Sequence, residues 1–556
     1  MEEYGFSDWE WSFPEPYGGL YNNLGYYRDY QFADLSRTFF RRIGLGVPYV
    51  QAVAQEEDPD TSAKVQNPWF TVVSFNNPHD IGLYPGVPKQ ACDQVISNHP
   101  LALAVPSQDT HARIPKSGTI ELPLNPFNFP QDNATTMATW NEDLINNNKP
   151  GCQFDYSYKI GLAFNSLAAQ SITDSSLGSS AAPEERLDSA ANLALNADML
   201  GLPFALTSNP HLTTSAFIQY YGFLLHHVDQ HIHTVLTELE TSGQAENTIV
   251  IFCPDHGEYS GSHHMMMEKW HTGYEEMIHV PLVVRFPENY YRVEGGLQQF
   301  EQVTSHADIL PSILGLTGIN TTVQQQELLA KISGHITDNT AMPVGSDFSQ
   351  AIQGQGIINK PNSDQAREGV LFVTYDTITE PFKKVVYDGD NPPPITDKDG
   401  NLNPYSVFVE AIAKLKAQQP NFAETLGSGS VRQPNLVHCA VSNDNWKLVR
   451  YWDPAWLTDD AVFEPQQFEL YNLNIDPAEE INLLDVSDPT FNVIEIVPEE
   501  FGSRTNIVDK ANSMLALLES LEFEWLNGWT APTQTSPDPS KQTSKLKKVK
   551  AAKEIA

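Results

Sequence analysis

Apolar residues recur along this chain in two rhythms. From 213 to 240, Ala216, Tyr220, Leu224, Val228, Ile232 and Leu236 follow a four-residue step, and Leu239 continues the face. That spacing predicts an amphipathic helix, which Gly243 ends. Residues 31–43 (QFADLSRTFFRRI) have helical spacing as well, and 308–316 form a helical stretch that contains Pro311. Three short runs lack polar alternation: WFTVVSF at 69–75, TIVIFC at 248–253 and VPLVVRF at 280–286. Apolar, β-rich runs of this length read as buried strands. The order helix, strand, loop, strand, helix predicts a parallel α/β sheet. Near residue 368 the texture changes. GVLFVTYD (369–376), WKLVRYWD (446–453) and FELYNL (468–473) are alternating strands joined by turns, which predicts an antiparallel subdomain before a terminal helix near 507–528.

The stretches between these elements set the expected organisation. Residues 1–36 are crowded with Tyr, Trp and Phe beside Gly, Pro and Asn, a pattern of ordered loop more than helix. Residues 82–200 are rich in Pro, Asn, Asp and Ser with weak periodicity, and read as long loops with short helices. Residues 531–556 are rich in Pro, Ser, Thr and Lys and read as a disordered basic tail. The expected layout is therefore an α/β domain over 1–367 carrying the long loops 82–200, a C-terminal antiparallel sheet with a helix over 368–530, and the tail.

Composition narrows the function classes. The 556 residues carry 33 Lys and Arg against 70 Asp and Glu, a formal charge of −37, with 40% hydrophobic residues. A core of ordinary size is affordable and global disorder is excluded. The acidic balance argues against a nucleic-acid partner, and no apolar run approaches the roughly 18 residues of a membrane span. No basic and apolar leader follows Met1, so the chain as written reads as cytosolic, or as exported if its true start lies upstream. Cys92, Cys152, Cys253 and Cys439 are far apart and read as isolated thiols. The charge is uneven: no Lys or Arg occurs between Arg186 and Lys269, and eight of the 16 His fall inside that gap.

Candidate chemistry gathers at the strand ends. Asp255-His256-Gly257 follows the second apolar run, where α/β sheets place ligands. Asp255 and His256 suit a divalent ion, and the same three residues suit a plain turn with a capping Asp. Lys269, the first cation after the gap, suits an anionic substrate group or a solvated surface. His79, in Asn-Pro-His-Asp after the first run, suits a leaving-group proton or an anion, or a local turn hydrogen bond. His227 and His231 have i, i+4 spacing without the Glu of an HExxH pattern, and read as structural or surface residues.

WFTVVSFNNPHDI (69–81) resembles the sulfatase segment in which an apolar strand precedes Asn-Pro-His. Residues 247–287, with Asp-His-Gly, Gly-Ser-His, Lys, Tyr-Glu-Glu and Val-Pro-Leu in series, are similar to that family's metal and sulfate segment. TSHADILPSILGLTGI (304–319), NWKLVRYWD (445–453) and FELYNLNIDPAEEINLLD (468–485) resemble its later helix and C-terminal sheet. The resemblance covers roughly 1–530, with 82–200 matching poorly. It implies an α/β, alkaline-phosphatase-like fold, with a mixed, mainly parallel sheet between helices and a smaller C-terminal antiparallel subdomain. It implies a sulfuric ester hydrolase that acts on a small sulfate ester, or a phosphonate or phosphodiester hydrolase of the same superfamily, or a non-catalytic relative. By motif, Asp255 and His256 would hold the metal, calcium first and manganese or another transition metal second. Lys269 would contact the sulfate, His79 the sulfate or the leaving oxygen, and His271 is a weaker catalytic candidate. The family's Cys/Ser-x-Pro-x-Arg nucleophile motif occurs nowhere in these residues. The expectation is therefore a chain that forms the larger C-terminal part of a split or truncated enzyme, with a separate N-terminal fragment as partner and no nucleic acid or membrane.

Overall fold

The computed structural model describes residues 25–46, 68–83, 102–105, 118–121, 136–177, 181–197, 202–269, 271–291, 296–319, 322–332, 343–361, 363–376, 394–418, 436–453, 465–488 and 490–531. The tail at 532–556 and the aromatic stretch before residue 25 lie outside the described residues, as does much of 82–135. In chain order the elements are α1 (Gly25–Gly44), β1 (Ala102–Val105), β2 (Gly118–Glu121), α2 (Gly151–Leu177), α3 (Pro183–Ala194), α4 (Pro210–Thr241), β3 (Val250–Phe252), α5 (Glu275–Ile278), β4 (Val283–Arg285), α6 (Ile309–Leu316), α7 (Thr322–Ile332), β5 (Gly369–Thr374), α8 (Pro404–Gln418), β6 (Leu436–Ser442), β7 (Trp446–Trp452), β8 (Gln467–Asn472) and α9 (Arg504–Trp525). No described helix is long and apolar enough to cross a membrane. Chain contacts divide the protein into two units.

The first unit comprises Met1–Thr136, His211–Pro254 and Pro281–Gln298. Here α1 is tied to α4 by Arg41, whose guanidinium donates to both carboxylate oxygens of Glu238 at 2.8 and 2.7 Å. Phe39, Phe40 and Trp69 form an aromatic cluster with centroids 5.5–5.7 Å apart. β1 pairs with β2, and β3 with β4, both antiparallel. Every ladder among the described residues is antiparallel, so the parallel pairing expected for the 248–253 and 280–286 runs is corrected. The 253–282 connection is long enough for a parallel crossover but carries only single helical turns, and Val250 faces Arg285 in antiparallel register. The 69–75 run joins no described ladder, and Phe70 and Val72 on it are exposed.

The second unit comprises Met137–Pro210, Asp255–Val280 and Gln299–Ala556. Its centre is the four-stranded sheet β5-β6-β7-β8. Alternate residues face opposite ways, as strand geometry requires. Leu371, Ala440, Leu448 and Leu470 pack on α9 through Ile507, Ala511, Met514 and Leu518. Val437, Cys439, Val449 and Tyr451 form another cluster with Cys152 at the start of α2. Ser503 caps α9 by accepting the Asn506 N–H. α2, α3 and α8 pack together through Leu162, Ala163, Phe408, Ala190 and Ala411. A 27-residue α2 corrects the reading of 82–200 as loops with short helices. Its buried residues run without a break from Cys152 to Ala163, so that part carries no exposed polar stripe to reveal the helical period.

Candidate active site

Asp255 and His256 stand at an exposed corner of the second unit. The Asp255 carboxylate is 85% exposed and the His256 ring 33%. Asp255 Oδ1 accepts the His256 backbone N–H at 3.0 Å. His256 Nδ1 lies 2.9 Å from the Gly257 carbonyl, so Nδ1 carries a proton and donates. Its Nε2 then faces Asp255 Oδ2 at 3.3 Å. With Nδ1 donating to the carbonyl, Nε2 and the carboxylate oxygen can both turn lone pairs toward a divalent ion. One carboxylate oxygen and one imidazole nitrogen held this close, with the far nitrogen fixed by a carbonyl, suit two adjacent positions of a metal shell.

The corner is positioned by a backbone bridge. The Gly257 N–H donates to Met277 O at 2.8 Å, and the Glu258 N–H to Glu276 O at 3.1 Å. A Cβ on Gly257 would lie 1.9 Å from Glu276 O, so only glycine permits this approach. Behind the bridge lies a buried ion network. His263 is fully buried, with Nδ1 2.9 Å from Glu142 and Nε2 3.1 Å from Glu276. Both nitrogens face carboxylates, so both are donors and the ring is an imidazolium. Burial alone would lower its pKa, but the bonds to Glu142 and Glu276 outweigh burial and raise it to about 9. Tyr274 stacks on it at 3.7 Å between centroids. Lys149 pairs with Glu142 at 3.2 Å and donates to Tyr471 Oη at 2.8 Å. Lys447 lies 2.5 Å from Glu275 and 2.8 Å from Glu479.

His263, Glu276 and Glu479 each bring a ligand atom within 4.8 Å of the others, a geometry compatible with a metal ion. Their charges are already met by the protein: Lys447 sits on Glu479, and His263 is itself cationic between two carboxylates. The segment around this network is strained. His263, His264, Met265, Glu268 and His271 all have positive φ without being glycine, a concentration typical of segments over-determined by their surroundings.

Lys269 lies on the same segment, largely buried, with Nζ 3.4 Å from Glu268. His271 is buried, edge-on to Tyr156 at 5.4 Å. Asp255, His256, Lys269 and His271 all belong to the second unit, Asp255 exposed and His271 buried. His79 belongs to the first unit, where it is exposed at the start of a single helical turn, His79–Leu83. Asp29 of α1 accepts the Asn76 and Asn77 N–H groups at 2.7 and 3.0 Å, and Asp80 accepts the Gly25 N–H at 2.8 Å. These bonds fix the loop that carries His79. Sequence reading missed Asp29, Glu142, Lys149, Glu479 and Lys447. Tyr-Glu-Glu was the one visible pointer to Glu275 and Glu276.

The sulfatase family model matches residues 20–319 of this chain, more than half of its length. The chain belongs to the sulfatase family. The chain is 34% identical over 96 residues to the ulvan-active sulfatase of Formosa agariphila, covering 16% of this chain and 17% of that protein. It is 29% identical over 142 residues to the endo-4-O-sulfatase of Bacteroides thetaiotaomicron, covering 25% and 27%. The alignments thus span between about a sixth and about a quarter of these curated relatives. Among solved structures, a 2-O GAG sulfatase aligns with 95% of this chain and 70% of its own, at 13% identity and a TM-score of 0.44.

Proposed function

We propose that this sulfatase-family chain supplies the metal-side and sulfate-side residues of a sulfuric ester hydrolase acting on small sulfate esters. The observation that carries the reading is the Asp255–His256 pair, with Nε2 and Oδ2 opposed at 3.3 Å and the other ring nitrogen engaged by Gly257. Asp255 and His256 would hold a divalent ion, which when bound neutralises sulfate charge as a Lewis acid. Calcium is the family expectation. The imidazole of His256 favours manganese or another transition metal, because calcium prefers oxygen ligands. Lys269 supplies an ammonium for the sulfate, His79 a contact to the sulfate or the leaving oxygen, and His271 a weaker catalytic contribution. The nucleophile comes from a separate or additional segment with Cys/Ser-x-Pro-x-Arg, because the present residues contain no such motif.

The test combines the chain with a formylglycine-bearing segment of that kind. Aryl sulfate hydrolysis should appear, and Lys269→Ala should lower kcat/KM by about 10²-fold, the scale of one lost charge-stabilising group. An unchanged rate for Lys269→Ala removes Lys269 from the site. The imidazole also supports a second reading, a phosphonate or phosphodiester hydrolase of the same superfamily. Faster turnover of an aryl phosphonate than of the matching aryl sulfate would select it.

A further inference from the structure

We propose that His227 and His231 of α4 form a two-imidazole chelate for one transition-metal ion of the zinc, nickel and copper class. The pair is independent of the sulfate-ester reading and lies entirely in the first unit. Four-residue spacing puts both rings on one face of α4. Their centroids are 4.9 Å apart with the ring planes at 81°, close enough for two nitrogens to meet one ion with water completing its shell. Each ring is also held by an aromatic neighbour. Phe223 stacks on His227 at 6.1 Å and 8°, and Phe75 on His231 at 6.1 Å and 23°. Such restraint lowers the ordering cost of a chelate.

His231 differs from the outlying histidines of this part of the helix. His226 Nε2 is within 2.9 Å of Gln230, and His233 Nε2 within 3.5 Å of Thr237. His231 Nε2 is buried with no hydrogen-bond partner among the described residues. A buried ring nitrogen without a partner bears an uncompensated desolvation cost, and a metal ion relieves it. Burial depresses the His231 pKa, against a smaller opposing pull from Asp34. The ring is therefore neutral near pH 7 and its lone pair is available. α4 itself contains no Lys or Arg to repel a cation. Imidazole pairs prefer zinc, nickel and copper over calcium or magnesium.

The experiment is calorimetric titration of the tag-free full chain with Ni²⁺ and Zn²⁺, together with electron paramagnetic resonance after one equivalent of Cu²⁺. In the chain carrying Asp255→Ala and His256→Ala, one ion should bind with two nitrogen ligands visible in the Cu²⁺ spectrum. His227→Gln and His231→Gln should each weaken Ni²⁺ binding at least tenfold, while His226→Gln and His233→Gln should not. A chain with Asp255→Ala and His256→Ala should retain this binding, which separates it from the proposed hydrolytic site. Wild-type affinity in both His227→Gln and His231→Gln overturns the assignment, as does loss of all binding in the Asp255/His256 variant. Should His231→Gln not fold by circular dichroism, His227→Gln decides alone.

Discussion

His263 shows how one side chain can hold the candidate corner without touching it. The imidazolium joins Glu142 to Glu276, and Glu276 carries the carbonyl that receives the Glu258 N–H. Its folded pKa of about 9 exceeds the ordinary value of 6.5. A raised histidine pKa adds stability that is complete below pH 6.5 and lost as pH rises through 9. At 1.36 kcal/mol per unit, the swing is about 3 kcal/mol. His263→Gln removes the titrating charge while keeping one donor. Denaturant unfolding should therefore show a wild-type advantage that is largest near pH 6 and shrinks by about 3 kcal/mol near pH 9.5. A gap that stays constant across this range would mean that His263 does not titrate as the geometry requires.

At the scale of elements, Gly257 is the residue on which the corner turns, since any Cβ there collides with the Glu276 carbonyl. Gly257→Ala should push the 257–258 segment off its bridge and weaken Mn²⁺ or Ca²⁺ binding at Asp255 and His256 at least tenfold by calorimetry, with circular dichroism unchanged. Retained affinity would show that the bridge does not position the pair. The same scale explains what could be read from the chain. α4 was legible because one stripe is apolar; it spans Pro210–Thr241 against the expected 213–240. β5, β7, β8 and α9 were legible from alternation and spacing, whereas β6 (LVHCAVS) was missed because it is buried on both faces. α2 hid for the same reason. Asp255, His256 and Lys269 stood out because they are neighbours in sequence. Glu142 did not, because 121 residues separate it from His263 and only the fold closes that distance.

At the scale of the whole molecule, the charge of −37 bears on which sulfated substrates can approach. A polysulfated chain carries many charges over a long distance and meets the summed repulsion of the protein. A monosulfated ester carries one and is governed by the local cation at Lys269 and any metal beside it. Screening separates these cases, because the Debye length falls from about 30 Å at 0.01 M salt to about 8 Å at 0.15 M. With the nucleophile-bearing segment restored, raising NaCl across that range should speed association of a polysulfated glycan several-fold, measured by surface plasmon resonance, while kcat/KM for a small aryl sulfate changes less than twofold. Deleting residues 541–556, which hold six Lys and one Glu, removes +5 of compensating charge and should steepen the glycan's salt dependence. Faster glycan association at low salt would instead reveal a basic approach path that dominates the net field, and would move the substrate reading from small esters to sulfated polymers.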